Sequence, residues 1–308
     1  PDSEPAPSPA ANAPPPPPAN RKVLTSPAVR RRARDAGIDL ADVPGSGPRG
    51  RITRADFDRF VKGGGAAAAP ARAARSGTEE IKVIGLRRMI AERLSASKRS
   101  IPHFAYVEEI DVTELEALRR HLNESAAADA PKLTLLPLIG MALIRALPEF
   151  PQCNALYDEE RNVIVRHNAV HLGVATQTPD GLKVPVVRHA ETMGLDRLAG
   201  EIVRLAAAAR DNTAKREELS GSTITLTSLG RLGGIVSTPV INAPEVAIIG
   251  VNKAVERPVV HCGQIAVRLI MNLSSSFDHR FVDGYDAAEL IQRLRQLLEH
   301  PATIFIDR

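Results

Sequence analysis

The chain has 308 residues, of which 44% are hydrophobic and 25% charged, the make-up of a globular protein able to bury a sizeable core. Aromatics are 3% and Trp is absent, which argues against stacking platforms for single-stranded nucleic acid; no apolar run approaches the length of a membrane span. The net charge of +4 is unevenly placed, because residues 21–62 carry eleven Lys and Arg against five Asp and the rest is net negative. Such an asymmetry favours an acidic partner for that stretch.

Nine of the first twenty residues are proline, including Pro14 to Pro18, so residues 1–22 read as an extended, semi-rigid linker. The chain opens at Pro1 without a signal-peptide pattern, and a linker implies a further domain upstream. Residues 23–62 form an ordered island. "TSPAVRRRARDAG" predicts a helix with Thr25 or Ser26 as N-cap, Pro27 at its first position and Gly37 as stop. "IDLADVPGSGPRGRI" is a turn-rich loop, and "ITRADFDRFV" predicts a second helix capped by Thr53. Residues 63–78, rich in Gly and Ala, are a second linker, and residues 79–308 are continuously globular.

In that last segment "GLRRMIAERLSASKRS" predicts an amphipathic helix with Leu86, Ile90 and Leu94 on one face. "HFAYVEEIDV" alternates as a strand, and "DVTELEALRRHLN" begins a helix from an Asp or Thr cap. "LPLIGMALIRALPEF" is apolar almost all round, hence a buried helix that Pro148 ends. "AVHLGVATQTPDGLKVPVVRHA" predicts two strands across a Pro-Asp-Gly turn. "GSTITLTSLG", "EVAIIGV" and "AVRLIMNLSSSF" predict three more strands, and "YDAAELIQRLRQLLEH" a final helix with Leu290, Ile291, Leu294, Leu297 and Leu298 inward. The far-separated Cys153 and Cys262 have no metal-ligand spacing and predict buried thiols in a reducing compartment, not a disulfide.

One stretch carries acid–base chemistry. In "SSSFDHRFVDGYDAAEL" His279 follows a strand and precedes a helix, where catalytic side chains are commonly presented. Asp283 is placed to cap the helix, with Gly284 allowing a tight entry. A carboxylate close to the imidazole would fix its tautomer and leave the other nitrogen free as a base. No phosphate-binding loop, dinucleotide fingerprint, serine elbow or zinc spacing accompanies it.

"SFDHRFVDG" resembles the Asp-His-Arg-x-x-Asp-Gly signature of the dihydrolipoamide acyltransferases, core components of 2-oxo acid dehydrogenase complexes. "SKRSIPHF", "TPDGLKVPVV", "TLTSLGRLGG" and "NAPEVAIIGVNK" resemble family segments in the same order, and the island at 23–62 resembles the family's peripheral-subunit-binding domain. The resemblance implies an α/β catalytic domain like that of chloramphenicol acetyltransferase, a mixed sheet flanked by helices, behind a small all-α domain, with the missing upstream part a lipoyl domain. It implies that His279 is the general base toward the thiol of coenzyme A or dihydrolipoamide, both substrates, the lipoyl group being covalent on that other domain and no metal taking part. Thr227 would stabilise the oxyanion where the family usually has Ser or Thr, with Ser228 as fallback, and Asp283 would support the active-site loop. Coenzyme A would contact Arg119 and Thr134, with Ser228 and Gly250 near the pantetheine arm, whereas His103 is structural. Arg30, Arg31, Arg34 and Arg51 would grip an acidic lipoamide dehydrogenase or 2-oxo acid decarboxylase component.

The resemblance further implies a homotrimer in which His279 of one chain faces Thr227 of its neighbour, the trimers building a cubic or dodecahedral core. "YVEEID" is most similar to the branched-chain members, with acetyl transfer, or a non-catalytic core subunit, as alternatives. The Ala- and Arg-rich composition fits the cytoplasm of a GC-rich bacterium, a mitochondrial matrix being the other compartment consistent with it. Two rivals are set against this reading. An antibiotic acetyltransferase would not need the basic island and linkers, and a nucleic-acid binder would use that island as a helix-turn-helix.

Overall fold

The computed structural model describes residues 23–63, 77–127, 130 and 132–306. The two linkers expected at 1–22 and 63–78 lie outside these residues, apart from Gly63, Gly77 and Thr78. The chain divides into two compact units at Glu80 and Ile81.

In the first unit Ser26 opens α1 (Pro27–Asp35), its hydroxyl accepting from the Val29 amide, and Gly37 follows the helix with φ +65°. Glycine bears that conformation without strain, so the stop works as expected. Thr53 and Asp56 form a reciprocal capping box on α2 (Arg54–Lys62). Val29, Ala33, Val43, Ile52 and Phe57 form the core. So small a core needs polar help, and Asp56 supplies it from within. Its carboxylate, 4% exposed, accepts from the amides and hydroxyls of both Ser46 and Thr53. These four hydrogen bonds hold the carboxyl well below the usual carboxylate range.

The second unit is a mixed sheet with helices. Its elements are α3 (Gly85–Ser100), β1 (His103–Asp111), α4 (Thr113–Ser125), α5 (Leu135–Ala146), β2 (Ala155–Asp158), β3 (Val163–Arg166), β4 (Leu172–Thr178), β5 (Gly181–Lys183), β6 (Val186–Val187), α6 (Leu195–Arg210), β7 (Ile224–Ser228), β8 (Ala247–Val251), β9 (Val255–His261), β10 (Gln264–Asp278) and α7 (Gly284–Glu299). The main sheet has eight strands in the order β1-β10-β8-β7-β4-β5, with β6 on β4 and β9 on β10; β2 and β3 pair separately. β4, β7 and β8 run parallel, and the other pairings are antiparallel.

Buried parallel strands read as continuous apolar runs, and β8, "AIIGV", is buried at every residue. α5 packs between α6 and α7, which explains why it is apolar almost all round. α7 turns Leu290, Ile291, Leu294, Leu297 and Leu298 inward, each at most 1% exposed. Burying a leucine of this kind is worth roughly 2 kcal/mol.

Several expectations need correction. Leu86 and Ile90 are only half-buried on α3, and Leu94 is exposed, as are Ile81, Val83, Ile84 and Met89 around it. The helix is amphipathic, but its own unit does not cover the apolar face. α4 has Val112 at its cap position, and the Asp111 carboxylate, still in the strand, accepts from the Thr113 amide and hydroxyl. Gly284 is not needed for a tight entry to α7, since its φ is not positive and an added Cβ would meet only the Phe104 Cζ, at 3.7 Å. Cys153 is buried, but Cys262 is exposed at the β9–β10 turn. Among the described residues no helix is long and apolar enough to cross a membrane.

Candidate active site

His279 stands one residue beyond β10, and the turn around it is closely held. The Phe281 and Val282 amides both donate to the Asp278 carbonyl, and the His279 amide donates to Pro102 O at 3.0 Å. The His279 ring lies 4.8 Å from that of Phe104 on the neighbouring β1, and the residue is otherwise exposed.

Asp283 does not touch the imidazole by hydrogen bond. Its Oδ1 accepts from the Tyr285 and Asp286 amides at 2.9 and 3.0 Å, which makes it the N-cap of α7. The idea that a carboxylate here fixes the His279 tautomer is therefore corrected for this chain taken singly; Asp283 acts on the loop's entry into the helix. Beside His279 the carboxylate that is engaged is Asp278, 1% exposed, gripped by Arg280. Arg280 Nε donates to both carboxylate oxygens, at 2.9 and 3.2 Å, Nη2 donates at 2.6 Å, and the Arg280 amide adds a bond at 3.1 Å. This fork across His279 was given no role in the sequence reading, although both residues lie in the motif.

Thr227, Ser228 and Gly250 come together at the C-terminal ends of β7 and β8. Thr227 is in register with Gly250, which is in turn opposite Ser274 on β10. A Cβ on Gly250 would lie 2.5 Å from Ser274 O and 3.3 Å from Ser237 Oγ, so only glycine fits. Ser228 Oγ accepts from the Gly230 amide at 3.1 Å, turning the chain into "GRLGG". The Thr227 hydroxyl makes no hydrogen bond among the described residues and is free to donate to a ligand.

His279 and Thr227 are not brought together within one chain. From Thr227 through Gly250 to Ser274 is two strand spacings, and His279 lies five residues further along β10. The separation is therefore about 19 Å by strand geometry.

Arg119 and Thr134 do converge, around the Leu133 peptide. Arg119 Nη1 donates to Leu133 O at 2.9 Å, Asn123 Nδ2 donates to the same carbonyl while its Oδ1 accepts from the Leu133 amide, and Thr134 is the exposed cap residue of α5. Glu116 takes two more of the Arg119 donors at 2.7 Å. His103 is structural, as expected: Nδ1 faces Ile101 O at 2.9 Å and Nε2 accepts from the Ile241 amide at 3.0 Å.

Sequence reasoning missed Glu245. This carboxyl, 1% exposed, accepts from Ser222 Oγ, from Thr225 Oγ1 at 2.8 Å and from Asn242 Nδ2 at 2.7 Å, all on Oε1, while Oε2 has no partner. Burial pushes its pKa up to about 7. In the first unit Arg30, Arg31, Arg34 and Arg51 are all exposed, with Arg30 also donating to Val23 O. Among the described residues no cluster of His, Cys, Asp and Glu could hold a metal ion.

Comparison with known proteins joins these features. Residues 75–306 match the family model "2-oxoacid dehydrogenases acyltransferase (catalytic domain)", and residues 23–56 match the "e3 binding domain". The chain is 61% identical over 289 residues to a lipoamide acyltransferase component of the branched-chain alpha-keto acid dehydrogenase complex from Pseudomonas putida, covering 93% of this chain and 68% of that one. Among solved structures it is similar to the Azotobacter vinelandii dihydrolipoamide acetyltransferase, at 38% identity and TM-score 0.71, over 75% of this chain and 95% of that one. That enzyme was studied for the roles of a serine, a histidine and an asparagine in its mechanism. A second structure, the cubic core of a pyruvate dehydrogenase multienzyme complex, matches at 37% identity and TM-score 0.72, over 78% of this chain and 99% of that one. With the catalytic model spanning nearly all of the second unit and so close a relative along nearly the entire chain, the protein belongs to the 2-oxoacid dehydrogenase acyltransferase family.

Proposed function

We propose that this chain moves a branched-chain acyl group between a dihydrolipoamide thioester and coenzyme A, as the core of a 2-oxo acid dehydrogenase complex. One observation carries the site assignment. In the Azotobacter enzyme the serine precedes the histidine by 52 residues and the asparagine follows it by four, the same intervals as from Thr227 to His279 to Asp283. Thr replaces Ser and keeps the hydroxyl; Asp replaces Asn and keeps the capping oxygen.

The chemistry follows from the residue types. A thiol is mostly protonated near neutrality, and the thiolate is the nucleophile. His279 takes the thiol proton, the sulfur attacks the thioester carbonyl, and the charge that develops on oxygen is met by the Thr227 hydroxyl. Collapse expels the other thiolate, to which His279 returns the proton. Arg119, Thr134, Ser228 and Gly250 form the coenzyme A track in this reading, which the exposed Thr134 supports.

Because one chain holds His279 and Thr227 far apart, the working site takes His279 from one subunit and Thr227 from the next. The uncovered apolar face of α3 supports assembly into trimers. Residues 23–62 act as the peripheral-subunit-binding domain between linkers at 1–22 and 63–78, with catalysis in 79–308. Their exposed arginines dock an acidic surface on lipoamide dehydrogenase. Similarity to Pseudomonas proteins supports a place in the bacterial cytoplasm.

The test is acyl transfer from acetyl-, isobutyryl- and isovaleryl-coenzyme A to free dihydrolipoamide. Preference for the branched donors is expected. Preference for acetyl would move the chain to the pyruvate class, and transfer of none would leave a structural core subunit.

A further inference from the structure

The Arg280 guanidinium is held on two sides. Its edge forks onto Asp278, and its face lies 4.7 Å from the ring centre of Tyr157 and 5.1 Å from that of Phe281. The two rings are themselves 4.7 Å apart. Tyr157 belongs to the short β2–β3 hairpin, outside every motif that marks the active site in the sequence.

The hairpin is not loosely attached. The Tyr157 amide donates to Pro244 O at 2.9 Å, and the Asp278 amide donates to Val246 O at 2.8 Å. Both partners of Arg280 thus hang from three consecutive residues, and the middle one, Glu245, is fixed by its buried hydrogen bonds to Ser222, Thr225 and Asn242. His279 lies between the two residues of the fork, on a turn whose remaining bonds are all backbone. An exposed imidazole on such a turn can aim only as well as its flanks are held.

We propose that Tyr157 is a positioning residue for His279, acting through Arg280. Tyr157 presents a π face that holds the planar guanidinium in place against Asp278; the fork then fixes the backbone on both sides of His279 and so the direction of its ring. A planar, delocalised cation is needed for this, because it can fork and stack at once, whereas a lysine ammonium is drawn to a ring face but has no planar fork. The inference rests on the reading of His279 as the base.

The test uses the whole assembled chain with Tyr157→Leu, Tyr157→Phe, Arg280→Lys and His279→Ala. Small misplacements of a catalytic group cost large factors in rate. Tyr157→Leu is expected to lower kcat about tenfold or more, with KM for both substrates within about twofold. Tyr157→Phe keeps the ring and restores kcat, although it loses the hydroxyl bond to Asn162. Arg280→Lys gives the same fall as Tyr157→Leu, and the double variant is no worse than either, because both break one path. Thermal unfolding and trimer assembly are followed in parallel. Wild-type kcat in Tyr157→Leu with an inactive His279→Ala would overturn the positioning role and leave the base standing. A fall in kcat that tracks loss of folded trimer would overturn it too, as simple destabilisation. Full activity in His279→Ala would remove the base reading, and the positioning role with it.

Discussion

Thr227 and His279 lie at opposite ends of the short central strands β7 and β8, Thr227 level with Gly250 and Ser274, and His279 level with Glu245 and Ser222. Each stands without its chemical counterpart, one a half-buried hydroxyl with no partner among the described residues and the other an exposed imidazole. A site shared between subunits makes a sharp prediction. His279→Ala and Thr227→Ala chains, each nearly inactive alone, regain activity when unfolded, mixed and reassembled together. No recovery would mean that both residues serve the same subunit's site, or that one serves none.

The single variants differ in kind. His279→Ala is expected to lose about a hundredfold or more in kcat, the usual scale of a general base. Thr227→Ala is expected to lose on the order of a hundredfold in kcat with KM little changed, since an oxyanion donor acts only in the transition state. Thr227→Ser keeps the donor and should keep most of the rate. Steady-state kinetics with isobutyryl-coenzyme A check all three.

Glu245 gives the second unit a pH dependence of definite sign. Its pKa is raised by burial from 4.5 to about 7, so the folded chain keeps a proton that the unfolded chain releases. Stability from this group is present at low pH and falls as pH rises through that window, by roughly 3 kcal/mol. Glu245→Gln is neutral throughout. Its melting temperature relative to the parent chain should rise between about pH 5 and about pH 8, and a constant difference would contradict the assignment.

Asp56 acts in the opposite sense in the first unit. Its carboxyl is depressed by the Ser46 and Thr53 hydrogen bonds, so its contribution is present above the usual carboxylate range and is lost as pH falls below it. Asp56→Ala removes four accepted bonds from a core of five apolar residues. Amide exchange in residues 23–63 is expected to accelerate while β8 and β10 keep their protection. Equal acceleration in both units would show that they do not open independently.

The exposed arginines of α1 carry the partner prediction. Arg31→Glu combined with Arg34→Glu should abolish capture of lipoamide dehydrogenase without changing acyl transfer to free dihydrolipoamide. Binding by the parent chain should weaken with salt, as exposed charge pairs do. Retained capture, measured by calorimetry, would move the interface elsewhere.

Much of the fold was legible because local signals agreed with tertiary need. The Ser26, Thr53 and Asp283 caps, the apolar stripe of α7 and the unbroken apolar run of β8 all read correctly. β9 did not, because Pro258 argues against a strand; it is tolerated where β9 pairs only with β10, at an edge. α6 escaped notice although Leu198, Ile202, Leu205 and Ala209 repeat at helical spacing and are buried. The orientation of α3 could not be read, since an apolar stripe tells that a face is covered and not by which chain. Of the site, His279 and its loop were visible through residue type and spacing. The Arg280–Tyr157 contact joins residues more than a hundred positions apart, and no local pattern announces it.

The two cysteines differ in a way that has a practical use. Cys153 is buried and its thiol is pushed up to about 12, whereas Cys262 sits exposed with φ +50° at the tip of the β9–β10 hairpin. Thiolate reagents at neutral pH therefore meet a protein with one handle per chain. A dye placed there would mark every hairpin tip at the same point, so energy transfer between labelled copies becomes a ruler for whatever symmetry the chains adopt.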